Sequence, residues 1–288
     1  MTRSICALLP LLALLLASCS ASGNKYGRAS LAEAPVVINV SAYDPKERQR
    51  KGRGYTPLDQ SALKANGSRA LIARIAKGTE LDTKCADFLV GAERQGMKIG
   101  TYFYVKPGIS IEAQARRYVA RLKAIKRQKG LRSKEVLLVG DIDTKCSSGD
   151  IVRFIEEMER LTGVTPVIYL ENSAGLITRL AAAPAAHKRI IRRAPYWLAL
   201  YSHTNEKNPH IKTPQDLTQA YGIWNTWAMW QYGGVFWERG RSAPKVYNHG
   251  AWRAPRYFGN LDRPCERNAF NGTPAQFEAF WAKHSWNW

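Results

Sequence analysis

Val136-Leu137-Leu138-Val139-Gly140-Asp141-Ile142-Asp143 is the stretch of this sequence that decides its fold. A short apolar run of this kind predicts a buried β-strand. The strand ends in two carboxylates at positions i and i+2, so Asp141 and Asp143 point to the same face. Adjacent acids repel each other and raise the pKa of one of them, which can keep a protonated acid beside an ionised one. The alternative is a strand that ends in a solvated acidic turn.

Other apolar segments alternate with helical patterns, which predicts β/α units around a parallel sheet. The predicted strands are Pro35–Val40, Ala70–Ile75, Lys98–Val105, Glu135–Asp143, Thr165–Leu170, Tyr196–Tyr201 and Trp227–Tyr232. Helices are predicted at Ile111–Lys129 and Ile151–Leu161, and a capping box at Thr273-Pro274-Ala275-Gln276 predicts a helix near the C-terminus. The pattern predicts an α/β fold of the TIM-like barrel type, with catalytic residues at the carboxyl ends of the strands.

The N-terminal segment is predicted to serve export and anchoring. The apolar run Ile5–Ala17 follows Arg3 and is too short to span a membrane, which needs about 20 residues. Leu16-Ala17-Ser18-Cys19 resembles the lipobox of bacterial lipoproteins, which predicts a signal peptide over residues 1–18 and lipidation of Cys19. Because Ser20 follows the cysteine, the resemblance favours the outer membrane. A plain secretory signal cut near Ala21 is the alternative.

The rest of the chain divides into a short tether and one large domain. Residues 19–34 are small and polar, which predicts a flexible tether, and residues 35–288 predict a single barrel domain that ends in a helix. The formal net charge is +20, which predicts attraction to polyanions. In a cell envelope these are peptidoglycan peptides and anionic lipids, and an exported lipoprotein is not expected to bind nucleic acid.

The cysteines indicate an oxidising compartment without a metal site. Cys6 leaves with the signal peptide and Cys19 is the lipidation site, so Cys85, Cys146 and Cys265 remain. Two of these three can pair in an oxidising periplasm. Cys85 and Cys146 each follow a predicted strand, so a disulfide between them is the pairing we predict. No cysteine has a Cys or His partner at metal-ligand spacing, so no metal or cofactor is expected.

All nine tryptophans of the chain follow residue 196. Aromatic rings supply large apolar areas, so most are expected in the core. Flat aromatic surfaces also stack on sugars, and one or two are expected to do so, with Trp230 the candidate. Trp227 and Trp230 are predicted on opposite faces of one strand.

Seven short segments, in order along the chain, resemble glycoside hydrolase family 25, the bacterial and phage lysozymes. They are Val37-Ile38-Asn39-Val40-Ser41, Arg74-Ile75-Ala76-Lys77-Gly78-Thr79, Gly96-Met97-Lys98-Ile99-Gly100-Thr101-Tyr102, Leu138 to Asp143, Pro166-Val167-Ile168-Tyr169, Trp230-Gln231-Tyr232 and Glu266 to Gly272. The resemblance implies a modified β/α barrel. It also implies cleavage of the β-1,4 bond between N-acetylmuramic acid and N-acetylglucosamine, without a cofactor.

The sequence departs from the family pattern at its acidic residues. Asn39 stands where the family has its first aspartate, Asp143 where it has the glutamate acid, and Glu266 where it has a late aspartate. Lys77 stands where the family often has glutamate, and Asp141 is unchanged. The resemblance implies Asp143 as general acid, Asp141 as the residue that raises its pKa and Glu266 as second carboxylate. The amide of Asn39 would orient a substrate acetamido group.

Four further residues near predicted strand ends are candidates for the substrate cleft. Glu171 follows the strand that ends at Leu170, and it could supply a missing carboxylate or be a solvated loop residue. Tyr102, Tyr169 and Tyr201 are suited to a cleft wall and equally to a barrel core.

Three functions remain open at this stage. The first is a lipid-anchored muramidase of the cell envelope that acts on peptidoglycan, which the retained acidic pair favours. The second is a related barrel that binds glycan strands without hydrolysis, which Asn39 favours because glycoside hydrolysis needs two carboxylates. The third is an envelope scaffold whose cleft is filled by side chains.

Overall fold

The computed structural model describes residues 33–44, 58–200, 210–211, 213–233 and 265–288, and the backbone of residues 246–249 and 252–255. Its strands are β1 (Val36–Val40), β2 (Ser68–Lys77), β3 (Glu80–Leu81), β4 (Lys98–Val105), β5 (Glu135–Ile142), β6 (Val167–Leu170), β7 (Tyr196–Ala199), β8 (Met229–Gly233), β9 (Val246–His249), β10 (Trp252–Pro255), β11 (Glu266–Phe270) and β12 (Ser285–Asn287). Its helices are α1 (Gln60–Ala65), α2 (Cys85–Arg94), α3 (Ile111–Lys129), α4 (Ser148–Thr162), α5 (Ala174–Ala181), α6 (Ala185–Ile191), α7 (Pro214–Tyr221) and α8 (Pro274–His284).

Eight of the described strands close into a barrel. The ring runs β1-β2-β4-β5-β6-β7-β8-β11, and β11 pairs with both β8 and β1. β11 is antiparallel to its two neighbours, whereas the other pairs of the ring are parallel. The predicted α/β barrel is confirmed. The sequence analysis did not predict β11, the strand that closes it.

The core has two layers because successive side chains of each strand alternate between the barrel interior and the surrounding helices. The inner layer includes Val37, Ile72, Val139 and Val167, and the outer layer includes their sequence neighbours, such as Ile38 and Leu138. This alternation fixes which polar residues enter the barrel. On β5 the inward series 137, 139 continues to Asp141.

The helices begin and end at residues whose local chemistry favours those limits. Ser110 caps α3 by accepting from the backbone N–H of Ala113, and Gly130 ends it with a φ of 62° in the left-handed region. A capping box joins Ser147 and Asp150 at the start of α4. Behind β5, a Cβ on Gly140 would lie 2.5 Å from Cε1 of Phe154, so glycine lets α4 pack directly against the strand that carries Asp141.

One end of the barrel is closed by the helix near the C-terminus. α8 starts at the predicted capping box, and its Phe277 and Trp281 join the inner layer beside Phe270, the last residue of β11. β12 then pairs with the first residues of β5. This is the amino end of the parallel strands, so the open mouth lies at their carboxyl ends. Within the described residues, no helix combines the length and apolarity that crossing a bilayer would require.

Candidate active site

Asn39, near the end of β1, is the centre of a hydrogen-bonded amide network at the barrel mouth. Its Oδ1 accepts from Nδ2 of Asn268 at 2.8 Å and from Nε2 of Gln231 at 2.9 Å. Two donors on the oxygen fix the orientation of the amide, so its Nδ2 faces Glu266 and donates to Oε2 at 2.5 Å. Asn39 is 5% exposed and uses both of its polar groups inside the protein. Oδ1 and one Nδ2 hydrogen of Asn39 are therefore engaged by protein groups, and its role in orienting a substrate acetamido group stays a prediction.

Glu266, the first residue of β11, is held by these amides. Residue 39 lies opposite residue 266 in the antiparallel pairing of β1 and β11. Besides Asn39, Nε2 of Gln231 lies 3.4 Å from Oε2 of Glu266. An aspartate at position 39 would place a second negative charge against this carboxylate, and like charges at such a distance cannot both ionise without cost. The asparagine therefore makes an ionised Glu266 compatible with the site.

A second layer of hydrogen bonds holds the amides themselves. The hydroxyl of Tyr169 donates to Oε1 of Gln231 at 2.7 Å, and Nε1 of Trp197 donates to Oδ1 of Asn268 at 2.8 Å. The rings of Tyr169 and Trp197 pack edge to face with centroids 5.0 Å apart. A buried polar network of this kind is rigid when all of its members are satisfied. Side chains of four other strands, β1, β6, β7 and β8, consequently position Glu266.

The acidic pair of β5 lies on the other side of the mouth, because β5 is four strands from β11 in the eight-stranded ring. Asp141 points into the barrel beside Tyr104 of β4 and Tyr169 of β6. Its Oδ1 is buried without a hydrogen-bond partner among the described residues. Burial raises the pKa of Asp141 well above its usual value, and the negative charges of Glu171, Glu266 and Asp143 add to this effect.

Asp143 lies just past the end of β5, where both of its carboxylate oxygens accept hydrogen bonds. The hydroxyl of Tyr104 donates to Oδ2 at 3.0 Å, and the backbone N–H of Lys145 donates to Oδ1 at 2.9 Å. The predicted acid is therefore present at the mouth, but each of its oxygens faces a donor. The raised pKa belongs to Asp141, the inward-pointing member of the pair.

Glu171 follows β6 at the rim of the mouth. Its side chain is exposed, yet burial by the surrounding protein raises the pKa of its carboxyl, with a further contribution from the charge of Asp143. Its backbone carbonyl accepts from the Tyr221 hydroxyl at 2.6 Å and from the Ser173 N–H at 2.9 Å. The proposed loop carboxylate is therefore close to the β5 pair and its backbone is fixed.

Basic and aromatic side chains complete the described part of the mouth. Arg74 of β2 is paired with buried Asp82 at 3.1 Å and lies over the ring of Tyr43. Lys77 lies over the ring of Tyr104, with Nζ 5.1 Å from the centroid. Tyr102 is 9% exposed, and burial raises its pKa well above the usual value, with contributions from Glu266 and Asp141. Tyr102 therefore lies in the floor between the two sets of carboxylates.

The structure does not support Trp230 as a cleft residue. Trp230 is fully buried in the outer layer, where its Nε1 donates to the carbonyl of Leu200 at 3.0 Å, so the prediction that it binds substrate is wrong. The reason is strand alternation: Gln231 points inward, and its neighbour must point to the helices. Trp227 precedes β8 and packs edge to face on Trp230, so these rings do not lie on opposite faces. Tyr201, also predicted for the cleft, lies outside the described residues.

The predicted disulfide between Cys85 and Cys146 is not formed, and both residues are buried free thiols. Cys85 begins α2 after the β2–β3 hairpin, and Cys146 follows β5. Because β4 lies between β2 and β5, the two strand ends are about 10 Å apart, two strand spacings. A disulfide needs Cα atoms within about 7 Å. Sγ of Cys146 instead donates to the carbonyl of Val105 at 3.6 Å, and burial raises the pKa of this thiol to about 12.

Sequence reasoning missed several residues that position the site. These are Arg74, Tyr104, Trp197, Gln231 and Asn268. The alternation of side chains along a strand could have identified two of them. Gln231 lies between two aromatic residues of a strand, so it points to the face opposite to theirs. Asn268 lies two residues from Glu266, so these two share a face. No group of three or more His, Cys, Asp or Glu side chains in the described part of the chain is arranged to hold a metal ion.

The arrangement brings two kinds of carboxyl group to one cleft. On one side, Asp141 and Glu171 have raised pKa values and retain a proton to higher pH than ordinary carboxyl groups. On the other side, Glu266 accepts hydrogen bonds from the amides of Asn39 and Gln231, which fix the orientation of its carboxyl group. A proton donor facing an oriented carboxylate is the combination that acid-catalysed cleavage of an acetal needs.

The comparisons with known proteins agree with this barrel. The sequence profile of Glycosyl hydrolases family 25 matches residues 54–237, more than half of the chain. A comparison with curated proteins gave no significant match.

Solved structures of low sequence identity share the fold. The bacterial lysozyme from Streptomyces coelicolor aligns with a TM-score of 0.55 and 16% identity, covering 86% of this chain and 97% of its own. A family GH25 lysozyme from Aspergillus fumigatus gives 0.54 and 18%, with coverage of 86% and 99%. A family 25 glycosyl hydrolase from Bacillus anthracis gives 0.56 and 14%, with coverage of 90% and 99%. With the profile match over residues 54–237, these similarities establish that the chain belongs to Glycosyl hydrolases family 25.

Proposed function

We propose that this protein is a muramidase, a glycoside hydrolase that cleaves the β-1,4 bond between N-acetylmuramic acid and N-acetylglucosamine in peptidoglycan. Family membership supports the reaction class. The observation that carries the proposal is the pairing of proton-retaining carboxyl groups on β5 and β6 with the amide-held Glu266 across the mouth. We infer that hydrolysis survives asparagine at position 39, because Glu266 on the neighbouring strand would supply the carboxylate that it replaces.

In the proposed reaction, the β5–β6 side protonates the leaving oxygen while Glu266 stabilises positive charge at the sugar carbon. The raised pKa of Asp141 keeps its carboxyl protonated to a higher pH than an ordinary aspartate. Tyr102 and Tyr169 would form the floor beneath the sugar, the first between the carboxylates and the second through its bond to Gln231.

The first experiment is mass analysis of the soluble products from purified sacculi. The wild-type domain, residues 35–288, is expected to release muropeptides with new reducing N-acetylmuramic acid ends. Glu266→Gln is expected to lower the rate by about 100-fold or more, because one of the two carboxylates is lost. Glu156→Gln makes the same chemical change on the exposed face of α4 and is expected to have no effect. Equal thermal melting of the three proteins shows that the fold is intact.

The alternative is a barrel that binds glycan strands without cutting them. It is favoured by Asn39 at the family's aspartate position. Co-sedimentation of wild type and Glu266→Gln with sacculi, with no product released by either, would replace the hydrolase by this binding function. The same result without co-sedimentation would leave the scaffold function.

We further propose that the protein works in the periplasm, tethered by residues 19–34 and anchored through a lipid on Cys19, with the outer membrane as destination. The lipobox at residues 16–19 and the net charge of +20 support attraction to the envelope. Labelling with radioactive palmitate is expected to mark the full-length protein and not Cys19→Ala, which should move from the outer-membrane fraction to the soluble fraction. Equal labelling of both proteins would contradict the anchor.

A further inference from the structure

The register between β5 and β6 places a second acid beside Asp143. Asp141 lies opposite Tyr169, the last pair of this parallel ladder, and Asp143 and Glu171 each follow two residues later, just past the ends of their strands. Neighbouring strands are about 4.8 Å apart. Asp143 and Glu171 are therefore a pair of acids that extend from neighbouring strand ends at the rim of the mouth, and the charge of Asp143 acts on the Glu171 carboxyl.

Within this pair, the Asp143 carboxylate accepts two hydrogen bonds, whereas the residues that the structure describes donate none to the Glu171 carboxyl. The two oxygens of Asp143 accept from the Tyr104 hydroxyl and the Lys145 N–H, which hold the carboxylate against the β4–β5 edge. Asp143 is also one methylene shorter than glutamate, so it reaches less far into the cleft. Glu171 is an exposed residue with the longer side chain, and its backbone is fixed by Tyr221 and Ser173.

We propose that Glu171 is the proton donor to the leaving oxygen and that Asp143 is its positioning partner. This assignment rests on the proposed muramidase function and transfers the acid from the end of β5 to the end of β6. Asp143 is held by its two donors, and its charge favours the protonated form of Glu171.

The charges around Glu171 agree with a proton held there. Asp143 is the neighbouring charge that raises its pKa, after burial, and Asp141 is a further acid of the same cluster. From β4 and α7, Tyr104 and Tyr221 face it as neutral phenols whose pKa values are raised, first by burial and in part by Glu171. Arg179 of α5 is engaged by the backbone carbonyls of Cys146 and Thr144. Among the described residues, no cation is paired with the Glu171 carboxyl.

The chemical step balances with these groups alone. As the bond between the sugar carbon and the bridging oxygen breaks, its electron pair stays on the oxygen, which takes the proton from Glu171. The oxocarbenium-like carbon is stabilised by the anionic Glu266. Water then adds to this carbon and returns its proton to the Glu171 carboxylate, which restores the starting state.

The test compares Glu171→Gln with Asp143→Asn on two substrates, sacculi and an aryl glycoside of the same sugars with a good leaving group. Glu171→Gln is expected to lower kcat on sacculi by about 100- to 10,000-fold, the usual contribution of a general acid. On the aryl glycoside the loss should stay below about 10-fold, because a phenolate of low basicity leaves without a proton. Asp143→Asn should keep measurable activity, with the alkaline limb of its pH–rate profile moved to lower pH, because the charge that raises the pKa of Glu171 is gone.

Each outcome decides the assignment. If Glu171→Gln keeps the wild-type rate on sacculi, or if only Asp143→Asn is rescued by the aryl leaving group, Glu171 is not the donor although the muramidase function stands. If the wild type degrades neither substrate, the proposed function fails and this assignment fails with it. Glu156→Gln serves as the matched control, and thermal melting separates loss of fold from loss of chemistry.

Discussion

Asp141→Asn is expected to make the protein more stable and nearly inactive. The Asp141 carboxyl is buried among three acids and has an oxygen without a hydrogen-bond partner among the described residues. Asparagine keeps the shape of the protonated side chain and cannot ionise. We expect the free energy of unfolding at pH 7 to rise by about 1–2 kcal/mol, the gain typical of relieving a strained active site. The rate on sacculi should fall by about 100-fold or more, since an amide can neither hold nor release the proton that the raised pKa of Asp141 keeps in the cleft.

The gain in stability from Asp141→Asn is expected to depend on pH. The pKa of Asp141 is raised in the folded state, so the folded protein binds the proton more tightly than the unfolded chain. Protonation of Asp141 therefore contributes to the free energy of unfolding of the wild type. This contribution is complete below the pKa of the unfolded chain, about 3.9, and is lost as the pH rises toward the pKa of the folded protein. Asp141→Asn lacks this contribution, so its advantage should be absent near pH 4 and grow toward pH 7.

Urea unfolding at pH 4 and pH 7 measures the effect. Asp87→Asn, at an exposed position of α2, makes the same change and is expected to give no gain at either pH. Wild type and Asp141→Asn with equal stability at both pH values would show that Asp141 is ionised in the folded protein. The proton-retaining role of this side chain would then be excluded.

Asn39→Asp, which restores the family's first aspartate, is expected to damage the protein. The change replaces the Nδ2 donor to Glu266 by a carboxylate oxygen, at a separation of 2.5 Å in the native pair. Loss of a hydrogen bond to a charged group costs about 1.5–3 kcal/mol, and the like charges then have to share a proton. We expect stability at pH 7 to fall by about 2 kcal/mol, with a smaller loss below pH 5, and the rate on sacculi to fall by about 10-fold or more.

The double variant Asn39→Asp with Glu266→Gln tests whether the two positions act as a pair. It moves the negative charge from β11 to β1 and restores one donor and one acceptor between them. We expect it to recover most of the stability lost by Asn39→Asp, so that the double-mutant cycle gives a coupling energy of about 1–3 kcal/mol. Additive losses in urea unfolding would show that Asn39 and Glu266 are independent.

The parts of this protein that the sequence predicts are those set by local pattern. The apolar run before Asp141, the capped helix Ile111–Lys129 and the alternation of strands and helices each depend on neighbouring residues, and each is found. Together, these local patterns predict the barrel. The acidic pair at the end of β5 and Glu171 after β6 were identified because parallel strands bring their carboxyl ends to one edge.

The parts that the sequence does not predict depend on pairings between distant segments. The role of Asn39 requires the register of β1 against β11, and that of Gln231 requires both strands at once. Trp230 was assigned to the wrong face because a motif does not state which of its residues points inward. The pairing of Cys85 with Cys146 was wrong because strand ends at one edge can still be separated by another strand.

The bond between Asn39 and Glu266 joins residues 227 positions apart. Closing so long a loop adds little to the free-energy cost, about 0.6 kcal/mol for each doubling of length, but such distant contacts form late and slow folding. A partly synthesised chain thus contains Asp141, Asp143 and Glu171 without the carboxylate that faces them. The proposed muramidase would be inactive during synthesis, and its activity would begin only when β11 inserts between β8 and β1.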